Sequence, residues 1–142
     1  MDTHHQFLAR QVAFGRATFG PGERRLGVLD HIQKEIEEVK KAEDHEARAL
    51  EWVDLVILSQ DGLLRCVREM IREAMKEVAD QPMIFQGTEI VGRFGEPTAD
   101  YVAKVALTMI VGKRDKNELR DWGDYRTKSE DEAIQHTAGV HD

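Results

Sequence analysis

The sequence predicts an all-α fold, and three observations predict it. Only three prolines, Pro21, Pro82 and Pro97, punctuate the 142 residues. Between them run stretches rich in Leu, Ala, Glu, Lys and Arg, which are good helix formers. Leu26, Leu29, Ile32, Ile36 and Val39 recur at spacings of three and four, the period of a helix with one apolar face. With 41% hydrophobic and 33% charged residues, the chain suits one folded domain spanning 1–142 around a single core.

The elements follow in order. A first helix is expected over about Thr3–Thr18, stopped by the turn-forming Phe19-Gly20-Pro21-Gly22. A second, amphipathic helix starts near Glu23 and runs to about Lys41. The third covers about Glu46–Arg68, and its centre, LEWVDLVIL, is apolar on almost every side. That pattern predicts a helix enclosed by other helices. Gly62 interrupts it at a cost of ~1 kcal/mol relative to Ala and permits close packing or a bend, and the helix continues over Val67–Ala79 with Ile71, Met75 and Val78 on one face. The Gly- and Pro-rich stretch at 81–98 reads as a short hairpin, a lid or an oligomer arm, centred on about 81–97. Thr98 suits the N-cap of a helix from Ala99 to about Trp122, ended by Gly123. Ser129 and Glu132 fit a capping box opening a short helix to about Thr137.

Composition excludes several classes. The net charge of -7, from 20 Lys+Arg against 27 Asp+Glu, disfavours a nucleic-acid coat protein. No apolar run approaches the roughly 20 residues that cross a bilayer, and MDTHHQFLARQ lacks the apolar stretch of a signal peptide. Cys66 stands alone, so no intrachain disulfide forms and the cytoplasm is the expected compartment.

Carboxylates carry the chemistry. Glu51 and Asp54 lie three apart on the apolar third helix, and Glu35 and Glu38 repeat the spacing on the second. Residues three apart on a helix point from nearly the same side. An acidic pair on a helix is ordinarily solvent-facing, but one set among apolar neighbours requires compensation for its burial. If the two helices pack antiparallel through a short loop, four carboxylates converge, and a hard divalent cation with oxygen ligands, Mg²⁺ above all, relieves their repulsion. Zinc is disfavoured, because these positions offer neither His pairs nor thiolates. Asp61 continues the same side seven residues beyond Asp54. Lys113, Lys116, Asn117 and Arg120 share one face of the fourth helix. They suit phosphate oxygens, although a cationic last turn also complements the helix dipole.

Other patterns carry less. Gly20-Pro21-Gly22 lacks the spacing of a phosphate loop, and His45-Glu46 lacks the second His of a zincin helix. His31, one turn before Glu35, could hydrogen-bond that carboxylate or simply face solvent. Trp52 and Trp122 read as core residues.

Glu35-x-x-Glu38, a gap of twelve residues, then Glu51-x-x-Asp54 resembles the ExxE…ExxD signature of the all-α nucleoside triphosphate pyrophosphohydrolases, the MazG-like enzymes. TFGPGERRLGVLDHIQKEIEEV, EWVDLVILSQDGLLR, KRDKNELRDW and DEAIQH extend the likeness to the dATP/dGTP diphosphohydrolase subgroup. Within it, the sequence resembles members from phages that replace adenine with 2-aminoadenine. The likeness covers about Thr18–Arg68 and Ala99–His136, and the segment Met75–Pro97 is longer than the subgroup leads one to expect.

The resemblance implies a four-helix core completed by oligomerisation, as a dimer or tetramer, with neighbouring helices covering the site. It implies hydrolysis of a purine nucleoside triphosphate, dGTP or GTP by preference, to the monophosphate and pyrophosphate with Mg²⁺ or Mn²⁺. By resemblance Glu35, Glu38, Glu51 and Asp54 are metal ligands, and Glu38, with Glu35, handles the attacking water. Asp61 becomes a further ligand or a support for the ligands, and Lys113, Lys116, Asn117 and Arg120 touch the phosphates. The monophosphate would feed synthesis of the modified purine in a host cytoplasm. The rivals are a house-cleaning or dUTP pyrophosphatase and a non-catalytic, metal-binding helical oligomer.

Overall fold

The computed structural model describes residues 1–76, 82–92 and 95–136. They fall into two compact units, Met1–Leu107 and Thr108–Asp142.

In the first unit, α1 spans His4–Phe19. Thr3 opens it with a capping box: its hydroxyl accepts from Gln6 N, and its own N–H donates to the Gln6 side chain at 2.9 Å. Leu8, Val12 and Gly15 form its buried face. Gly20, at φ +86°, ends the helix and donates to Arg16 O.

The second helix, α2, covers Arg25–Lys41 and starts two residues after the expected Glu23. Its apolar stripe is only partly covered. Val28 is buried and Ile32, Ile36 and Val39 are half-buried, but Leu26 and Leu29 are 72% and 52% exposed.

The third helix, α3, is a single 30-residue helix, His45–Ala74, with Asp44 as its N-cap. Of the two roles expected of Gly62 the structure has close packing: it faces Val28, whose Cγ1 would lie 3.5 Å from an added Cβ. One expectation changes here. The helix ends before Met75, and the expected continuation over Val78 and Ala79 lies outside the described residues.

The larger correction concerns what α3 buries. Leu50, Trp52, Val53, Val56 and Ile57 are all exposed. The enclosed part is the later half, where Leu64, Val67 and Ile71 pack in a core with Leu8, Val12, Val28, Ile90, Val91, Val102, Ala103 and Ala106. Of the run LEWVDLVIL, the described residues therefore cover Leu55 and Leu58 only in part and leave the other apolar side chains open to solvent.

The segment at 81–97 contains a hairpin of β1 (Met83–Phe85) and β2 (Thr88–Val91), paired antiparallel. Gln86 and Gly87 turn it, both with positive φ (51° and 78°), which matches the right-handed twist of the strands. Thr98 then caps α4 (Ala99–Leu119), accepting from Tyr101 N at 3.2 Å. In this unit α4 contributes Val102, Ala103 and Ala106 to the core.

Buried arginines fix these elements. Arg65, 6% exposed, donates through Nε to both oxygens of Asp61, through Nη1 to Gly20 O and Gly22 O, and through Nη2 to Gly15 O. Arg68 holds Glu96 bidentately at 2.8 and 2.7 Å, and Arg16 joins them, 3.0 Å from Glu96 and donating to Pro97 O. Burial pushes the Glu96 carboxyl up, but its hydrogen bond to Arg68 and the charges of Arg16 and Arg68 outweigh that and leave it below its ordinary value.

In the second unit α4 runs on to Leu119 and stops three residues short of the expected Trp122. Arg120 N turns back to Asn117 O, and the Trp122 indole donates to the same carbonyl at 2.8 Å. Gly123, at φ +75°, lies beyond that end. A 3₁₀ turn, Tyr125–Thr127, follows Asp124. The contacts at Ser129 form in part, since its N–H donates to the Glu132 side chain and its hydroxyl accepts from Asp131 N. No helix follows among the described residues to 136, and Thr137 lies outside them.

Arg65→Met should destabilise the protein by about 3–5 kcal/mol, because it strands the half-buried Asp61 and leaves three carbonyls without their donor. Urea unfolding monitored by circular dichroism measures this, and a loss under 1 kcal/mol would show that the arginine network contributes little.

Candidate metal centre

The loop Ala42–Asp44 joins α2 to α3, so α2 and α3 fold back on one another. Arg48 closes the loop by donating to Ala42 O and Glu43 O. Glu35 lies six residues before the end of α2, and Glu51 six residues after the start of α3. Two positions equally far from a tight turn meet across a helix hairpin, and Asp54 follows Glu51 by one turn.

The result is a cluster in which Glu35, Glu51 and Asp54 each offer a carboxylate oxygen within 4.8 Å of the others. Glu35 is the most enclosed of the three, its side chain 17% exposed. Its Oε2 is buried with no hydrogen-bond partner among the described residues. His31 Nε2 stands 3.7 Å from the other Glu35 oxygen, too far for a hydrogen bond.

The Glu51 carboxyl is held above its ordinary range. A hydrogen bond with Glu35 contributes most, followed by desolvation and then the charges of Glu35, Asp54 and Glu38. A raised acid favours the protonated folded state. The cluster therefore costs stability above the raised pKa, and either a proton or a cation removes that cost.

The other expected residues are placed differently. Glu38 is exposed and one turn nearer the loop than Glu35. It acts on Glu51 through charge but is not among the three converging groups. Asp61 is held by Arg65 at 2.9 Å and is likewise not part of the cluster. In the second unit Lys113 is exposed, Lys116 and Asn117 are half-buried, and Arg120 is buried and donates to Asn117 Oδ1 at 2.7 Å. The buried Arg65 and Arg68 passed unremarked in the sequence, where an arginine on a helix reads as a surface charge. Their only signal was a position in step with Leu64, Val67 and Ile71.

The donor set is all oxygen and multiply anionic, and it includes one enclosed oxygen with nothing to accept from. It fits a hard divalent cation such as Mg²⁺ or Mn²⁺.

A mostly helical chain in which Glu35 meets Glu51 and Asp54 is what the resemblance to the MazG-like enzymes leads one to expect. A family model described as dATP/dGTP pyrophosphohydrolase matches residues 8–89, more than half of the chain, and the protein is a member of that family, an enzyme of the nucleoside triphosphate diphosphohydrolase type. The matched stretch takes in all four signature carboxylates and runs into β2, while the cationic block at 113–122 lies beyond it. No curated protein and no solved structure matches the chain.

Mn²⁺ or Mg²⁺ at about 100 times its Kd should stabilise the protein by about 2.7 kcal/mol. Glu35→Gln should abolish most of that gain while raising the stability of the metal-free protein. Thermal melts with and without cation test both, and an equal gain in wild type and variant would place the metal elsewhere.

Proposed function

We propose that the protein hydrolyses purine nucleoside triphosphates, dGTP and GTP preferentially, to the monophosphate and pyrophosphate. The observation that carries this reading is the convergence of Glu35, Glu51 and Asp54 beside a buried, unpartnered Glu35 oxygen, in a chain of the dATP/dGTP pyrophosphohydrolase family. Glu35, Glu51 and Asp54 would hold Mg²⁺ or Mn²⁺, with Glu38 as the fourth carboxylate. A bound divalent cation neutralises phosphate charge and lowers the pKa of water.

The chain's own groups do the rest. Glu38, exposed one turn from Glu35, orients the attacking water and takes its proton, with Glu35 able to share that task. The bond between the α- and β-phosphates breaks and pyrophosphate leaves. Lys113, Lys116, Asn117 and Arg120 are assigned to the phosphate oxygens on their chemistry alone, and Asp61 to supporting α3 through Arg65. The resemblance to MazZ of phages that replace adenine with 2-aminoadenine supports a role in which dGMP feeds synthesis of that purine in the host cytoplasm.

A homo-oligomer is part of the same reading. The first half of α3 presents Leu50, Trp52, Val53, Val56 and Ile57 to solvent, and among the described residues no helix is long and apolar enough to cross a membrane. Apolar patches of this kind on a helix face mark protein contacts, and a second copy of α3 is the natural cover. Val56→Asp should reduce the mass measured by light scattering to that of the monomer, whereas an unchanged mass would remove α3 from the interface.

Product analysis with dGTP, dATP, dCTP and dUTP, with and without Mg²⁺ or Mn²⁺, tests the reaction. The expected result is metal-dependent dGMP and pyrophosphate, reduced at least ~100-fold in Glu38→Gln. Equal turnover of all four would keep the chemistry and remove the guanine preference, as for a house-cleaning enzyme.

A further inference from the structure

Glu35 stands in the middle of a stripe on α2. His31, Glu35 and Glu38 follow at spacings of four and three, so they share one face of that helix. Glu38 flanks Glu35 on the side of the loop, and His31 flanks it on the other. His31 lies ten residues before the end of α2, and Asp54 nine residues after the start of α3. By the same pairing that joins Glu35 to Glu51, the two stand at about one level of the helix hairpin. The crossing therefore has an imidazole at its far rim.

The two oxygens of Glu35 differ. His31 Nε2 stands 3.7 Å from Oε1, whereas Oε2 is buried with no hydrogen-bond partner among the described residues. The Glu35 side chain is 17% exposed and that of His31 60%, so the ring can turn beside a carboxylate that is enclosed. A hydrogen bond needs about 2.7–3.2 Å between nitrogen and oxygen, and a movement of roughly 0.5–1 Å closes the contact. The neutral imidazole with its proton on Nε2 and the imidazolium both donate from that atom, so the bond does not wait on a change of charge. The neighbouring cation of α2, Lys34, is turned to Asp30 at 3.2 Å instead.

We infer that His31 is a positioning residue of the metal centre, donating from Nε2 to Glu35 Oε1 and leaving Oε2 to a divalent cation. The inference rests on the proposed use of Glu35, Glu51 and Asp54 as metal ligands, and it adds a group outside the ExxE…ExxD signature. Carboxylates that ligate a metal depend on neighbouring donors for their orientation, and loss of such a donor weakens metal binding without removing a ligand. Glu35 is the ligand for which this matters most. It is the one carboxylate that α2 brings to the pair on α3, so its orientation decides whether the two helices share one ion.

The test compares wild type with His31→Ala, which removes the donor, and His31→Gln, whose amide N–H reaches about as far as Nε2. Binding of Mn²⁺ alone is followed by electron paramagnetic resonance, in which the free ion gives the signal. The Kd should rise roughly 10-fold or more in His31→Ala, and His31→Gln should recover most of that loss. Melting of the metal-free protein should not fall in His31→Ala, because an exposed side chain contributes little there. Equal Kd values in all three proteins, or an equal loss in both variants, would overturn the inference and leave the metal centre standing. A nitrogen coupling to bound Mn²⁺ that disappears in His31→Ala would also overturn it, by making the imidazole a ligand itself. A wild-type protein that binds no Mn²⁺ would overturn the metal centre and the role of His31 together. Binding that weakens in His31→Ala, in a protein that hydrolyses no triphosphate, would keep the inference and remove the proposed reaction.

Discussion

The guanidinium of Arg65 gathers the carbonyls of Gly15, Gly20 and Gly22 and the carboxylate of Asp61 into one hydrogen-bonded knot. Those carbonyls belong to the end of α1 and the turn that launches α2, where a helix terminus leaves acceptors without intrahelical partners. A planar group with five fixed donors satisfies them from the side of α3, and Asp61 balances its charge. Gly15 makes room for that approach: a Cβ there would stand 3.3 Å from Asp61 Oδ1, so the carboxylate would have to give by a few tenths of an ångström. Once the start of α2 is tied to α3 at Arg65 and its end is tied by the loop Ala42–Asp44, its register along α3 is set at both ends. That register decides which carboxylates meet.

Along α3 stability and chemistry occupy different halves. The later half carries Leu64, Val67 and Ile71 in the core and the two buried arginines, with Arg68 reaching through Glu96 to Arg16 and the approach to α4. The earlier half carries Glu51 and Asp54 and an uncovered apolar surface. Such a division is physically sensible. A cluster of like charges raises the free energy of the folded state, as the upward shift at Glu51 shows, and the packing that offsets it is placed two or more turns away.

The exposed face of α3 and the crossing are neighbours for a further reason. Apolar surface that excludes water beside the carboxylates lowers the local dielectric and strengthens their interaction with a cation or phosphate. Covering that face therefore affects the electrostatics of the site as well as the stability of the protein.

What the sequence determined by itself was the periodic and the local. Helix spacing and the cap at Thr98 depend on residues within a few positions of one another, and Glu35-x-x-Glu38 with Glu51-x-x-Asp54 is readable for the same reason. The tertiary structure decided everything that depends on distance along the chain. It brought Glu35 to Glu51 and Asp54 and left Glu38 a turn away, because helices meeting through a three-residue loop pair positions equidistant from it. It gave Asp61 to Arg65, a contact one turn away on α3 that matters only because α1 and the turn before α2 converge there. It left most of LEWVDLVIL open to solvent, since an apolar pattern states that a surface avoids water without stating what covers it. And it chose between the two roles open to Gly62, placing it in close packing against Val28 inside an unbroken helix.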